Sequence, residues 1–231
     1  MKLLMLALVA ATVGLASATS AQNRSGNWNL TVEADQVSHR IGNPDAPVQL
    51  SEYISYTCPT CARFAREGDP PVELAYVGSG KVRLEIRHIV RDPIDLTITM
   101  MAHCGPAAKF KKNHTAFMLS QGKWIGKMQN ASQSQIVRWT QRGAGSRRNI
   151  ANDFGFYDIM KQRGYRITDV DKCLNDESKA EALAQATADY IQEYGNHGTP
   201  MFTIDGKRVF NVVVWEDLRP NLDAAVSQNG Q

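Results

Sequence analysis

The sequence predicts an α/β protein in which one long helical block separates two halves that contain strands. Strand patterns occur at residues 46–54 and 81–90, on either side of a Cys-x-x-Cys motif. Residues 94–195 then show helical patterns and no convincing strand, and strand patterns return at residues 200–214. These three observations define the fold class, and the order of elements along the chain refines it.

The first 21 residues have the composition of a secretory signal peptide. A single basic residue, Lys2, precedes a run over residues 3–13 that is apolar except for Thr12, and small residues approach Ala21. The apolar run is shorter than the roughly 20 residues that span a bilayer. We therefore expect export to the periplasm, cleavage after Ala21 with Ala18 as an alternative, and a mature domain of residues 22–231.

The charge balance disfavours two classes of partner. The chain has 26 Lys and Arg against 23 Asp and Glu, a formal net charge of +3 at pH 7. Such a weak excess favours neither nucleic acid nor an anionic membrane as a partner. All the cysteines follow Ala21, and in an oxidising compartment cysteines pair; they are Cys58, Cys61, Cys104 and Cys173.

The N-terminal half combines strands with one interrupted helix. Alternating apolar residues at 25–38 predict a short strand, and the β-prone stretch 46–54 predicts a buried one. The helical pattern after the second cysteine is broken at Asp69-Pro70-Pro71, where proline cannot continue a regular helix. Residues 81–90 alternate again and predict the next core strand.

The C-terminal half contains the helical block, a hairpin and a closing helix. Helix starts are predicted at Pro106, Ser132, Thr168 and Ser178, the last in a capping box with Glu181. The pattern predicts a hairpin of residues 200–204 and 208–214 around the turn Asp205-Gly206, and a helix over residues 214–226. A strand-helix-strand unit and a hairpin-helix unit around an all-helical insertion, at about residues 94–196, give the layout of a thioredoxin-like fold.

The motif Cys58-Pro59-Thr60-Cys61 lies where a strand passes into a helix. A sulfur at that position lies near unpaired backbone N–H groups and the positive end of the helix dipole, and both lower a thiol pKa. Pro59 suits a first helical turn. We expect Cys58, at the exposed tip, to form the mixed disulfide with a partner, and the shielded Cys61 to resolve it.

The sequence allows two other interpretations of the motif. A zinc site could recruit the other cysteines or His103, but zinc modules usually contain a second close pair of ligands, which this sequence lacks. The pair could also form an inert structural disulfide. A redox dithiol is the interpretation that export and position favour.

Two segments together, SEYISYTCPTCARF at residues 51–64 and NHGTPMFTIDGKRV at residues 196–209, resemble the DsbA-like family of periplasmic thiol-disulfide oxidoreductases within the thioredoxin superfamily. The resemblance covers the mature chain in its order of elements. It implies an enzyme that exchanges thiols and disulfides without a metal or organic cofactor. Its clients would be unfolded or partly folded exported proteins with free thiols, and a membrane redox partner would reoxidise it.

The resemblance also implies three site residues outside the motif. Pro200 matches the cis-proline that packs opposite the two cysteines, and Thr199 would offer backbone groups to an extended substrate. Glu52 matches a buried acid beneath the active site and would accept a proton from Cys61. The alternatives are an ordinary turn at Thr199-Pro200 and a solvated carboxylate at Glu52.

Thr60 departs from the pattern of the strongly oxidising members, which have histidine there. Without that positive charge we expect a less depressed Cys58 pKa and a less oxidising disulfide. Thr199 before the proline resembles the isomerase branch, whose members carry a separate dimerisation domain. Only residues 22–57 separate the expected cleavage site from Cys58, too few for such a domain, which favours a monomeric oxidant over a periplasmic isomerase or reductant. A peptide-binding chaperone with an incidental disulfide is the third hypothesis.

Cys104 and Cys173 remain, and some DsbA-like proteins carry a second disulfide in the helical insertion. A bond between them would stabilise the fold by about 4 kcal/mol on the chain-entropy model, an upper figure. The alternative is two buried free thiols.

Overall fold

A computed structural model of the chain describes residues 27–229. The signal peptide expected at residues 1–21 lies outside this range. Within the described range, none of the helices combines the length and the apolar character needed to cross a membrane.

A mixed six-stranded sheet forms the centre of the fold. The strands are β1 (Val32–Ala34), β2 (Ser38–Ile41), β3 (Val48–Ile54), β4 (Val82–His88), β5 (Met201–Ile204) and β6 (Lys207–Val209). They lie in the order β1-β2-β4-β3-β5-β6, with β3 and β4 parallel and the other neighbours antiparallel. The two halves of the chain meet where β3 pairs with β5, so that Tyr53 lies opposite Met201, the residue after Pro200.

The helices confirm the predicted thioredoxin-like α/β class with an all-helical insertion. They are α1 (Pro59–Glu67), α2 (Asp69–Pro71), α3 (Pro93–Ala102), α4 (Phe110–Gln129), α5 (Gln133–Thr140), α6 (Ala144–Asp153), α7 (Phe156–Gln162), α8 (Ile167–Leu174), α9 (Glu177–Tyr194) and α10 (Trp215–Asn229). A π-helical turn, Val72–Val77, follows α2 at the predicted break. The insertion between β4 and β5 consists of α3 to α9.

One apolar core continues from the sheet into the insertion. It joins Leu50 and Ile54 of β3 to Phe117 of α4 and Phe156 of α7. Alternate residues of a strand face opposite sides of a sheet, so Tyr53 belongs to a second cluster with Tyr190 of α9 on the other face. Helices therefore cover both faces of β3, the strand that leads into the cysteine motif.

Three local predictions are wrong. Residues 25–38 do not form one strand: the Asn27 side chain accepts a hydrogen bond from the Asn29 N–H and starts a 3-10 turn at Trp28–Leu30, before β1. The chain after β6 leaves the sheet at residue 210, so the second hairpin strand is shorter than 208–214. Helix α9 begins two residues earlier than expected, with Asp176 instead of Ser178 as its N-cap.

The N-cap of α9 explains why the capping box predicted for Ser178 and Glu181 does not form the helix start. Asp176 is the N-cap, and its carboxylate accepts a hydrogen bond of 2.9 Å from the Lys179 N–H. Aspartate caps as well as serine, so Ser178 and Glu181 lie within the helix instead of starting it. The helix start expected at Ser132 is confirmed, and Ser132 forms a capping box there with Gln135.

Candidate redox site

Both cysteines of the motif are buried at the junction of β3 and α1. Cys58 is the N-cap of α1, Pro59 opens the helix, and Cys61 lies in its first turn. Cys58 is 5% exposed and Cys61 is 0% exposed. Cys58 is therefore not at the exposed tip expected from the sequence, but it is more accessible than Cys61.

The surroundings of Cys58 favour its thiolate. Contact with the Cys61 side chain contributes most, and the Thr199 hydroxyl and the backbone N–H groups of Cys61 and Thr60 add to it; together they outweigh burial and lower the Cys58 pKa to about 5. These N–H groups belong to the unpaired first turn of α1. Thr60 thus contributes only through its backbone.

Cys61 has the opposite tendency. Burial raises its pKa well above the ordinary value, and the neighbouring Cys58 raises it further. The pair therefore holds one thiolate and one thiol over a wide pH range. This division suits a nucleophile, or good leaving group, beside a protonated resolving thiol.

The Thr199-Pro200 peptide bond is cis and lies against the first sulfur. The Cys58 Sγ donates a hydrogen bond of 3.1 Å to the Thr199 carbonyl oxygen. The Thr199 hydroxyl is buried and has no partner oxygen or nitrogen within residues 27–229. It faces the two sulfurs and lowers the pKa of both. In the thiolate form of Cys58 this hydroxyl is one donor to the sulfur, beside the Cys61 thiol and the backbone N–H groups of Cys61 and Thr60.

A buried carboxylate fixes the residues just before the motif. Asp95 of α3 accepts hydrogen bonds from the Ser55 hydroxyl at 2.5 Å and from the Tyr56 N–H at 2.8 Å. Ser55 in turn touches both cysteines, because its carbonyl accepts the Cys58 N–H and its backbone N–H favours the Cys61 thiolate. Burial raises the Asp95 pKa to about 7.

The helical insertion contributes one more direct contact. Gln121 of α4 donates from Nε2 to the Tyr56 carbonyl at 2.7 Å and to the Cys58 carbonyl at 2.9 Å. Its side chain is buried. The two bonds attach the start of α1 to α4, so the insertion helps to hold the two cysteines in place.

Glu52 is buried beneath α1 and faces another acid. Burial and the carboxylate of Asp69 raise its pKa well above the ordinary value. His114 Nε2 lies 3.7 Å from Asp69 Oδ2, and its Nδ1 lies 3.0 Å from the Tyr56 hydroxyl. Glu52, His114 and Tyr56 are buried and Asp69 is partly buried, so Asp69 connects Glu52 to the polar pair of His114 and Tyr56. A proton transfer from Cys61 to Glu52 stays a prediction.

Cys104 and Cys173 are joined by a disulfide with a Cα–Cα distance of 5.7 Å. Cys104 lies in the connection after α3, not at the start of a helix, and Cys173 lies in α8. The bond encloses much of the insertion and leaves neither sulfur free for a zinc ion. Over the described range, no group of three His, Cys, Asp or Glu side chains converges as a metal site.

Four of the five histidines, scattered in the sequence, gather around Phe110. The ring of His39 stacks on Phe110 at 3.7 Å between centroids, and the rings of His88, His103 and His114 lie at 6.1, 5.4 and 5.6 Å. Burial lowers the pKa of His39 to about 3 and that of His88 and His103 well below the ordinary value. Those three rings are neutral at pH 7 and form part of the core.

Sequence reasoning missed three side chains that shape the site. Asp95 was hidden in a helix start, Gln121 in the middle of a long helix, and Asp69 in a segment interpreted only as a helix break. The one available indication was the Asp92-Pro93 pair, because aspartate before proline is a common helix N-cap. Asp92 does cap α3, through bonds of 2.9 Å from the N–H groups of Ile94 and Asp95.

The comparisons with known proteins agree with this geometry. A sequence profile described as thioredoxin matches residues 34–224. The crystal structure of a protein-disulfide isomerase from Novosphingobium aromaticivorans is 41% identical, with a TM-score of 0.78, over 82% of this chain and 97% of that chain. The structure of alpha-DsbA1 from Wolbachia pipientis is 19% identical, with a TM-score of 0.63, over 82% of this chain and 91% of the other, and shows a shared fold.

Two curated relatives from Rickettsia are named protein-disulfide oxidoreductases. The protein from Rickettsia bellii is 23% identical, over 87% of this chain and 70% of its own length. The one from Rickettsia conorii is also 23% identical, over 79% of this chain and 58% of its own length. The chain therefore spans only part of these relatives.

Proposed function

The chain belongs to the thioredoxin family as a DsbA-like thiol-disulfide oxidoreductase, and on that premise we propose that it acts as a net oxidant, which introduces disulfide bonds into exported proteins. The observation that carries the proposal is the pKa of Cys58, lowered to about 5. A stabilised thiolate stabilises the reduced enzyme, and this makes the disulfide form a stronger oxidant.

The size of this effect follows from the titration. At pH 7, a thiol of pKa about 5 is almost fully ionised, whereas an ordinary cysteine of pKa about 8.5 is a few per cent ionised. The difference stabilises the reduced form by about 2.7 kcal/mol, which corresponds to about 60 mV in a two-electron potential. The lowered Cys58 pKa therefore shifts the enzyme toward oxidation of its clients.

The proposed reaction has two exchanges. A client thiolate attacks the Cys58 sulfur of the Cys58–Cys61 disulfide, the S–S bond breaks, and Cys61 leaves and takes up a proton. A second client thiolate then attacks the client sulfur of the mixed disulfide and releases Cys58 as a thiolate. The low pKa of Cys58 makes it a good leaving group in this second step. The client gains one disulfide and the enzyme becomes a dithiol.

Three residues would assist these steps. Thr199 would hold an extended client segment through its backbone while its hydroxyl faces the sulfur; the cis bond to Pro200 presents that backbone toward Cys58. Glu52 would exchange a proton with Cys61. We also propose that the protein works as a monomer in the periplasm and is returned to the disulfide form by a membrane redox partner.

The main alternative is the opposite direction of exchange, as an isomerase or reductant. The name of the Novosphingobium relative favours it, and a Cys58 thiolate would also serve an enzyme that attacks client disulfides. The oxidation state of the pair in cells distinguishes the two. When thiols are trapped by rapid acidification, a net oxidant has Cys58 and Cys61 mostly as a disulfide, and a mostly reduced pair would contradict our proposal.

A peptide-binding chaperone is the alternative from another class. Replacing Cys58 by Ala abolishes thiol-disulfide exchange and leaves the surface that would bind peptides intact. Full complementation by the Cys58→Ala variant in cells that need client oxidation would favour the chaperone and refute a catalytic role.

A further inference from the structure

A groove lies beside Cys58, and the exchange reaction gives it no role. Its volume is about 600 Å³. The connection from β4 to α3 forms one wall, α9 forms another, and the loop before the cis-proline closes one end. The residues that line it are Cys58, Ile89, Val90, Arg91, Thr187, Ile191, Asn196, Gly198 and Thr199.

The groove is preformed by hydrogen bonds between its walls. The Val90 N–H donates to the Thr187 hydroxyl oxygen of α9 at 2.9 Å, and that hydroxyl lies 3.2 Å from the His88 carbonyl. The Arg91 N–H donates to the buried Asp95 carboxylate at 3.1 Å. A segment that enters the groove therefore meets an ordered surface, which lowers the entropic cost of binding.

The lining combines apolar walls with one available cation. Ile89, Val90 and Ile191 are partly exposed, and Arg91 is exposed. Across residues 27–229, no carboxylate lies within 4.0 Å of the Arg91 guanidinium. Its positive charge is thus left for a ligand.

The two acids next to Arg91 in sequence are engaged elsewhere. Asp92 caps α3 and accepts the Thr57 hydroxyl at 2.8 Å. Asp95 is buried and accepts bonds from Ser55 and from backbone N–H groups. Both carboxylates are engaged in these bonds, and among the described residues neither lies within 4.0 Å of the Arg91 guanidinium.

We propose that this groove binds an extended client segment that carries an acidic residue close to the reacting cysteine, with Arg91 as the partner of that carboxylate. The charge of Arg91 and the position of Cys58 at the same groove carry the inference, which rests on the proposed function of the site. Apolar walls accept the neighbouring side chains of the segment. Arg91 is then a specificity-determining residue for the exchange.

Single-cysteine peptides provide the test. Each peptide is otherwise uncharged and carries Glu, Gln or Lys at one position, either one or two residues before its cysteine or one or two residues after it. The measured quantity is the second-order rate constant of mixed-disulfide formation with the oxidised enzyme. An exposed ion pair predicts that Glu reacts about two to five times faster than Gln for at least one position, and that Lys reacts more slowly. Raising the salt concentration should remove this preference.

Two variants decide whether Arg91 is responsible. Arg91→Gln removes the charge from the groove, and the Glu-to-Gln rate ratio should fall to about one. Arg66→Gln removes the same charge from an exposed arginine of α1 that does not line the groove, and the ratio should be unchanged. The inference is overturned if the Glu-to-Gln rate ratio is near one at every position in the unchanged protein. It is also overturned if the Arg91→Gln variant keeps the same ratio as the unchanged protein. If the Gln peptides also fail to react, the proposed function itself is wrong.

Discussion

Thr199→Val tests the electrostatic origin of the Cys58 thiolate. Valine keeps the branched shape of threonine and removes the hydroxyl that faces the two sulfurs. A hydrogen bond to a charged group contributes roughly 1.5–3 kcal/mol. Because this hydroxyl is shared between two sulfurs, we use the lower end, which corresponds to a rise of about one unit in the Cys58 pKa. The pKa should therefore change from about 5 to about 6.

The same change predicts a shift in redox potential. At pH 7, the reduced form loses about 1.4 kcal/mol of thiolate stabilisation, which makes the potential about 30 mV more reducing. Stability to urea should change little, because the hydroxyl has no partner oxygen or nitrogen to lose among the described residues. The pKa is measured from thiolate absorbance and from the pH dependence of alkylation, and the potential against glutathione.

Thr57→Val is the matched control. Thr57 immediately precedes Cys58, but its hydroxyl donates to Asp92 instead of facing the sulfurs. The Cys58 pKa should stay within a few tenths of a unit in this variant. If Thr199→Val leaves the pKa unchanged, or if Thr57→Val raises it equally, the hydroxyl of Thr199 does not stabilise the thiolate and our reasoning is refuted.

Three further predictions concern pH, the second disulfide and Glu52. The Cys58 pKa is lowered to about 5 and the Cys61 pKa is raised, so reduction of the disulfide takes up two protons below pH 5 and one proton above it. The potential should therefore fall by about 60 mV per pH unit below pH 5 and by about 30 mV per pH unit above it. A single slope from pH 4 to 8 would contradict this. Replacing Cys104 and Cys173 together by Ala should lower the free energy of unfolding in urea by about 2–4 kcal/mol, because the bond closes a separation of 69 residues. The redox potential should not change, because the bond lies far in sequence from Cys58 and Cys61. Unchanged stability would show that the bond contributes nothing. Glu52→Gln should slow the attack of Cys61 on a mixed disulfide by about tenfold or more if Glu52 accepts its proton, and an unchanged rate in stopped-flow measurements would leave Glu52 a structural residue. Because the Glu52 pKa is raised in the folded state, its contribution to stability declines as pH rises above its ordinary value, and the Gln variant should lose that dependence.

The candidate redox site could be predicted from the sequence where its residues are neighbours along the chain. Cys58 and Cys61 share one turn of α1, and the strand before and helix after them follow clear periodic patterns. The cis-proline region could be placed only through the family resemblance, because sequence spacing does not bring residues 58 and 199 together. The pairing of β3 with β5 does so.

The supporting residues could not be predicted for the same reason. Asp95 and Gln121 reach the motif only after α3 and α4 pack on the sheet, and nothing in their own segments marks their side chains as special. The four histidines around Phe110 illustrate the limit, since positions 39, 88, 103 and 114 share no motif. Short caps were also ambiguous, as Asp176 shows at the start of α9.

The equilibrium potential of the Cys58–Cys61 pair against glutathione tests the proposed direction of exchange most directly. Thioredoxin, with a cysteine pKa of about 7, has a potential of about −270 mV. Lowering the pKa to about 5 stabilises the reduced form at pH 7 by a further 2.3 kcal/mol or so, about 50 mV. The potential of the pair should therefore be about −220 mV or more oxidising. A value at or below that of thioredoxin would contradict a net oxidant.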